Sequence, residues 1–404
     1  MLRAQILTSI FAVATLIPWN SVVTVDDFWH SQFQSDQLNI FTLFFQATLL
    51  LVNLFGVFVL SDFAFWKRLL FGNVVSALVL VALLLVKSLP VVYVLMLIFG
   101  FVDGILEATL YGYATTVQTT QHAQGGQSAS GAIVSVIRII TKLVFVNHES
   151  GAELSAYLFF SISAFLCILA AVASLSIRSI ETTRHRKLGR NRTLILGIIR
   201  NCWPDMLTVF INYTLTLAIF PTFFVTALSS HEWHVSMDWL MVICIALFNI
   251  FDFIGKQFLG TDAIRAKIKF LKLRVGLLSF VISRLTLCVL IVLCNRSIIP
   301  SATVLSLLAA LLGLTNGCAS VNCFVSGANN ARDWYMRRHL MLLDDVALQS
   351  LHEDEMETIP QSETDDYKEM EETIGYLMVA SLCVGLAVGL SIGYGFMQVL
   401  LLFS

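Results

Sequence analysis

Residues 89–117 read LPVVYVLMLIFGFVDGILEATLYGYATTV, and the fold follows from how such a run behaves. It is 29 residues long and carries only two charges, Asp103 and Glu107. About 20 mostly apolar residues suffice for a helix to cross the hydrocarbon layer of a bilayer. Spaced four apart, the two carboxylates share one helical face, so the run reads as a lipid-compatible helix with a single acidic stripe.

Working outward, ten more runs of this kind are found: residues 4–25, 38–60, 69–86, 128–146, 154–177, 206–228, 239–259, 275–294, 299–325 and 374–403. Composition agrees, with 57% hydrophobic residues and 13% charged, against about 25% charged in soluble domains. Mean hydropathy is +0.81 over the whole chain. The fold class expected is all-α, a polytopic membrane protein of eleven transmembrane helices. The first run contains Ala12-Val13-Ala14, which resembles a leader-peptidase site, but apolarity continues to Val25 and the run reads as a retained span.

Basic residues set the orientation, because Lys and Arg favour the cytoplasmic side. With the N-terminus cytoplasmic and the C-terminus extracytoplasmic, 19 of the 25 Lys and Arg fall in cytoplasmic segments, and only Lys87 and Arg296 fall outside. The chain divides into residues 1–177, an N-terminal six-helix bundle; 178–205, a basic cytoplasmic linker; and 206–404, a C-terminal five-helix bundle. Within the last, residues 344–372 hold twelve acids against Lys368 alone, so the loop at about 326–373 reads as a disordered cytoplasmic tether. Gly385, Gly389 and Gly393 recur at the spacing that lets helices approach closely in lipid. The eight cysteines contain no Cys-x-x-Cys pair and read as packing residues, with no metal or cofactor expected. A net charge of −2 points to no nucleic-acid partner.

A charge in a span costs roughly 2.5–3.5 kcal/mol on insertion scales and marks function by default. Seven lie in the runs: Asp103, Glu107, Arg138, Lys142, Asp252, Lys256 and Arg284. The first six form three pairs four residues apart. An acidic face on the fourth run and a basic face on the fifth invite an interhelical ion network. Two readings stand for it, a structural pairing and a gate or proton pathway. Asp252 and Lys256 suit a ligand with vicinal hydroxyls, since a carboxylate accepts from hydroxyls and an ammonium donates to them; a structural salt bridge is the alternative. Arg284 reads as structural, paired with a distant acid or snorkelling to a headgroup. Pro18 and Pro221 interrupt the helical ladder of the first and seventh runs, with Trp19 and Asn20 beside the first and Phe220 beside the second. Interrupted helices with polar side chains suit an alternating-access carrier.

The motifs in order are Pro18-Trp19-Asn20, Asp103-Gly-Ile-Leu-Glu107, the stretch from Ser130 to Arg138 and Lys142, Tyr213 to Phe220-Pro221, Phe248-Asn249 to Asp252 and Lys256, Ser283-Arg284, and Gly313-Leu-Thr-Asn316-Gly317. In this combination the chain resembles the equilibrative nucleoside transporter family, its plant and protozoan members above all. The resemblance implies a major-facilitator-like arrangement of six plus five helices. It also implies transport of nucleosides or nucleobases, purines included, by alternating access, facilitated or proton-coupled. Trp19 would stack near the nucleoside, Asp252 and Lys256 would hold the ribose, Asn249 would support them, and Glu107 would face the base. Asn20 and Phe220 complete the implied substrate site. Arg138 and Lys142 would belong to the cytoplasmic half of a gating network with Asp103 as partner, and Arg284 and Asn316 join that charge network.

Two positions depart from the family. Glu107 replaces the usual Gln and donates a hydrogen bond only when protonated. Lys256 replaces the usual Arg and lacks its two-pronged fork, which broadens the expected substrates toward free bases. The competing expectations are a carrier of a sugar or organic cation and, further off, an intramembrane enzyme; no Tyr-Asp with Gly-x-Gly-Asp pattern or phosphate loop supports the latter. The partners expected are substrate, lipid and protons, in the plasma membrane or an internal membrane.

Overall fold

The computed structural model describes residues 2–33, 37–60, 63–145, 150–178, 192–220, 222–225, 237–259, 264, 267–296, 298–350 and 361–402. Before residue 179 come α1 (Leu2–Thr24), α2 (Asp26–Phe33), α3 (Leu38–Val59), α4 (Phe65–Leu85), α5 (Leu89–Thr116), α6 (Thr120–Val144) and α7 (Gly151–Ser174). After residue 191 come α8 (Arg192–Ile219), α9 (Met237–Ile254), α10 (Arg274–Ser283), α11 (Leu285–Asn295), α12 (Ala302–Ser350) and α13 (Gln361–Leu402). Regular structure among the described residues is helical throughout. Ten stretches are long and apolar enough to cross a bilayer, and α3 adds a shorter apolar stretch, Ile40–Phe55.

In lipid no hydrophobic force draws helices together, so close backbone packing and polar contacts do the work. In the first set α1 lies along α6 and α7, α3 along α5, and α4 along α5 and α7; in the second, α8 lies along α13 and α12, and α9 along α12. The sets meet where α13 packs on α5 and α3, and where α6 packs on α9 and α12. The glycine stripe of α13 explains one of these seams. A Cβ at Gly385, Gly389 or Gly393 would lie 2.6 Å from the carbonyl oxygens of Phe210, Thr214 and Ala218 respectively, so side chains there would push α13 off α8.

Helix direction is fixed by contacts. Thr8 meets Thr119 at 2.7 Å and Asn20 meets Ser130 at 2.9 Å, so α1 and α6 run parallel. Arg3 donates to the Ser176 carbonyl at 3.1 Å, which brings the start of α1 and the end of α7 to one end of the bundle. Pro18 stands inside an unbroken α1. Its ring removes the N–H that would bond the Ala14 carbonyl, and that oxygen instead receives the Cys167 thiol at 3.9 Å. Pro221 lies outside the described residues.

Four segments differ from the sequence reading. Residues 192–205, expected as linker, form the first turns of α8, because Arg192–Asp205 keeps helical apolar spacing, with Leu194, Ile195, Ile198 and Cys202 buried. The tether is shorter than its acidity suggests: α12 continues to Ser350 and α13 begins at Gln361, while residues 351–360 lie outside the described residues. An ion pair between Arg332 and Glu371 joins these two extensions. The ninth run is one span, Arg274–Asn295, built of two helices, α10 and α11, that meet at a turn at Arg284. And α5 meets α6 only over part of its length, where Glu107 and Tyr111 reach Gln127 and Gln124, since α6 lies mainly on α1 and α9.

Candidate functional site

The crossing of α9 and α12 builds a polar buried cluster. A Cβ at Gly313 or Gly317 would lie 2.2 Å from the carbonyl oxygens of Phe248 and Asp252, so only glycine permits this approach. The approach sets Asn316 beside Asp252, and the Asn316 amide donates to Asp252 Oδ1 at 2.7 Å. Lys256 reaches Asp252 Oδ2 at 3.1 Å from the residue after Gly255, where α9 widens into a π-helical segment, Gly255–Leu259. Such widened turns recur at functional sites because they re-aim side chains that a regular helix would align otherwise. All three side chains are buried. Both oxygens of Asp252 thus accept one hydrogen bond each, and an ionised carboxylate offers roughly four such positions.

Arg284 does not snorkel. It is 1% exposed and donates to Thr315 Oγ1 at 3.2 Å, to Thr216 Oγ1 at 2.8 Å, to the Asn212 side-chain oxygen and to the Leu312 carbonyl at 3.4 Å. Asn212 and Thr216 both donate on to Asn316 Oδ1, at 3.1 and 2.8 Å.

α6 forms the wall between the two helix sets. Asn20 donates to Ser130 Oγ at 2.9 Å and Asn249 donates to Ser135 Oγ at 2.8 Å, so these two asparagines face the same helix from opposite sides. Phe220 stacks on Phe248 at 4.0 Å, one residue before Asn249. Trp19 stacks on Phe45 of α3 at 3.8 Å and 7°, so one face of the indole is already covered.

Glu107 accepts from Gln127 Nε2 at 3.2 Å and from the Cys383 thiol at 3.6 Å. Behind Gln127 runs a relay in one direction. The Ser320 hydroxyl donates to Gln124 Oε1 at 2.8 Å, Gln124 Nε2 to the Tyr111 hydroxyl, and that hydroxyl to Gln127 Oε1 at 2.6 Å. Glu107 is therefore wired across the seam to α12.

Asp103 corrects an expectation. It is 1% exposed, and neither carboxylate oxygen receives a hydrogen bond, so the pair with Arg138 is not formed. The cause is the packing just described: α6 turns toward α1 and α9, and its basic residues lie past Ser135, along the part of α6 that follows the end of α1. Lys142 sits 5.3 Å from the ring centre of Trp239, near the start of α9. Arg138 and Lys142 thus lie at the end of the bundle away from Arg3 and Ser176. Among the described residues no Lys or Arg pairs with Asp103 or Glu107.

A second charged cluster, read in the sequence as loop charges, lies toward the end that carries Arg3. Arg68 of α4, 5% exposed as a side chain, donates to Glu372 Oε1 of α13 at 3.1 Å and to the Tyr376 hydroxyl, which itself donates to Glu372. Arg332 of α12 donates to the Thr115 carbonyl of α5 at 3.1 Å. Both contacts join one helix set to the other. Sequence reasoning missed these residues along with Asn212, Thr216, Gln124, Gln127 and Tyr111. The available signals were polar residues at helical spacing inside apolar runs and the i, i+4 placement of Glu372 and Tyr376.

No protein-family model matches the chain. Equilibrative nucleotide transporter 1 of Arabidopsis thaliana is 25% identical over 291 residues, which span 63% of this chain and 63% of that protein, just under two thirds of its length. Equilibrative nucleotide transporter 4 of the same plant is 24% identical over 303 residues, 63% of this chain and 71% of that protein. Nucleoside transporter 2 of Leishmania donovani is 32% identical over 127 residues, 31% of this chain and 23% of that protein. Among solved structures, the fucose:proton symporter of E. coli superposes over 98% of both chains, with a TM-score of 0.59 at 13% identity, a likeness of fold.

The chain is a multi-pass integral membrane protein whose helical fold is like that of the E. coli fucose:proton symporter. Within that class its sequence is related to the equilibrative nucleoside and nucleotide transporters of plants and Leishmania, as the ordered motifs suggest.

Proposed function

We propose that this protein carries nucleosides, and free nucleobases less selectively, across the plasma membrane by alternating access, with eleven spans and its N-terminal end cytoplasmic. The observation that carries the reading is the Asp252–Lys256 pair, buried between α9 and α12 with hydrogen-bonding capacity left on both carboxylate oxygens. A pair of vicinal hydroxyls matches that capacity, donating one hydrogen to each oxygen. The names of the plant and Leishmania relatives point to the same substrate class.

Alternating access is supported by the two seams. Arg68–Glu372 and Arg332–Thr115 pin the helix sets together at the end carrying Arg3. Releasing them while tightening the α6–α9 seam at Ser135–Asn249 would move the opening from one face to the other. Asp103 and Glu107 support proton coupling. Two buried carboxylates four residues apart on α5, paired with no Lys or Arg among the described residues, are where a coupling proton would bind.

Competition tests the substrate class. In proteoliposomes, excess unlabelled adenosine should abolish labelled adenosine uptake, while fucose, glucose and choline leave it unchanged. Uptake that is blocked by a sugar or by choline instead would reassign the protein to another solute.

A further inference from the structure

We propose that Arg284 is a positioning residue for Asp252, acting by fixing the polarity of an amide relay; the inference rests on the reading of Asp252 as the ribose acceptor. A guanidinium has five N–H donors and no acceptor, and an ionised carboxylate has acceptors only. The groups strung between two such ends have one consistent orientation. Arg284 Nη1 donates to Asn212 Oδ1, so the Asn212 Nδ2 must point away from it, and it donates to Asn316 Oδ1 at 3.1 Å. Arg284 Nη2 donates to Thr216 Oγ1 at 2.8 Å, which turns the Thr216 hydrogen outward, toward the same Asn316 oxygen at 2.8 Å or its own helix's Asn212 carbonyl at 2.8 Å. With its oxygen held from two sides, Asn316 presents its nitrogen to Asp252 Oδ1 at 2.7 Å.

Reversing any amide in this chain would set donor against donor at Arg284 or acceptor against acceptor at Asp252. The relay therefore holds one oxygen of Asp252 from behind, as Lys256 holds the other at 3.1 Å, and leaves the remaining lone pairs aimed at the two hydroxyls of a ribose.

The backbone is arranged for this. The ninth apolar run breaks at Arg284, whose N–H bonds the Val281 carbonyl, three residues back, at 3.2 Å. The break lets a long side chain turn inward, where it is 1% exposed and contacts α8 and α12 together. Among the described residues Arg284 forms no ion pair with an acid. Its charge reaches Asp252 through Asn212, Thr216 and Asn316, which an arginine serving only to knit helices would not require.

The test compares uptake of adenosine with that of 2′,3′-dideoxyadenosine, which lacks both hydroxyls, in proteoliposomes of wild type, Arg284→Gln, Asn212→Asp and Asp252→Asn. Arg284→Gln and Asn212→Asp should each raise the adenosine KM roughly tenfold and leave the dideoxyadenosine KM unchanged, the loss expected for one misdirected hydrogen bond to a charged group. Arg284→Lys, which keeps a donor-only cation, should recover part of the loss. If Arg284→Gln does not yield monodisperse protein, Asn212→Asp and Asn316→Asp carry the same comparison without touching the arginine. Parallel changes for both substrates, or an unchanged ratio of KM values, would overturn the proposal. Should Asp252→Asn itself leave the ratio unchanged, the ribose reading falls; a ratio lost in Asp252→Asn but retained in Arg284→Gln and Asn212→Asp removes the relay alone.

Discussion

Arg68 and Glu372, 304 residues apart in sequence, meet at 3.1 Å and tie the first helix set to the second. The guanidinium is shared with Tyr376, so three groups on two helices make one latch. Truncating one partner leaves the other charge in a poorly hydrated site, which favours conformations in which water reaches it. Arg68→Gln is therefore expected to populate the state open at this end. A cysteine introduced at Thr115, beside the latch, should react with a membrane-impermeant maleimide about tenfold faster in Arg68→Gln than in wild type. The charge-reversed pair Arg68→Glu with Glu372→Arg should return the rate toward wild type. Equal rates in all three would mean that the contact does not gate.

Glu107 ends the relay from Ser320 and pairs with no Lys or Arg among the described residues, so in the proposed cycle it is the group expected to carry the coupling proton. Protonation favours uptake, hence uptake should rise as external pH falls. Glu107→Gln mimics the protonated side chain at every pH. Its uptake should lose pH dependence while flux down a nucleoside gradient persists. A pH profile identical to wild type would exclude Glu107 as the titrating group.

Lys256 pairs with Asp252 through one ammonium at 3.1 Å. Arginine in its place would bring a planar fork able to hold a carboxylate and a ribose hydroxyl together. Lys256→Arg should lower the KM for adenosine relative to that for adenine by a few-fold. The ratio of the two KM values, measured in the same vesicles, checks this; a ratio moved the other way would indicate that the lysine tightens ribose binding.

Gly317 permits the α9–α12 crossing, because a Cβ there would lie 2.2 Å from the Asp252 carbonyl oxygen. Since the obstacle is backbone, Gly317→Ala must spread the helices and draw Asn316 away from Asp252. Overpacking of this kind costs about 1–3 kcal/mol. A lower Tm in detergent is expected together with a raised adenosine KM, whereas Gly395→Ala, with nothing within 4 Å of its added Cβ, should change neither.

Much of this was legible in the sequence, and the limits have physical causes. Runs such as residues 89–117 announce spans because lipid demands length and apolarity together, and Asp252 with Lys256 stood out as a buried pair because charge in lipid is costly. Asn316 was legible as a motif member, though not as the donor to Asp252, since that contact depends on how closely Gly313 and Gly317 let α12 approach. Asp103 and Arg138 were paired on the assumption that neighbours in sequence pack together; α6 chose α1 and α9 instead. Arg68 and Glu372 looked like loop charges because each falls just outside an apolar run, residues 69–86 and 374–403, and only the arrangement of α4 against α13 brings them together. Asn212 and Thr216 carry no charge, so their four-residue spacing inside an apolar run was the one sign that set them apart.

Uptake of labelled adenosine into proteoliposomes, wild type beside Asp252→Ala, tests the central claim most directly. Saturable uptake by wild type, lost or weakened at least tenfold in Asp252→Ala while that protein remains monodisperse, is the predicted result. Equal uptake by both proteins, or no uptake of adenosine, uridine or hypoxanthine by folded wild type, would contradict it.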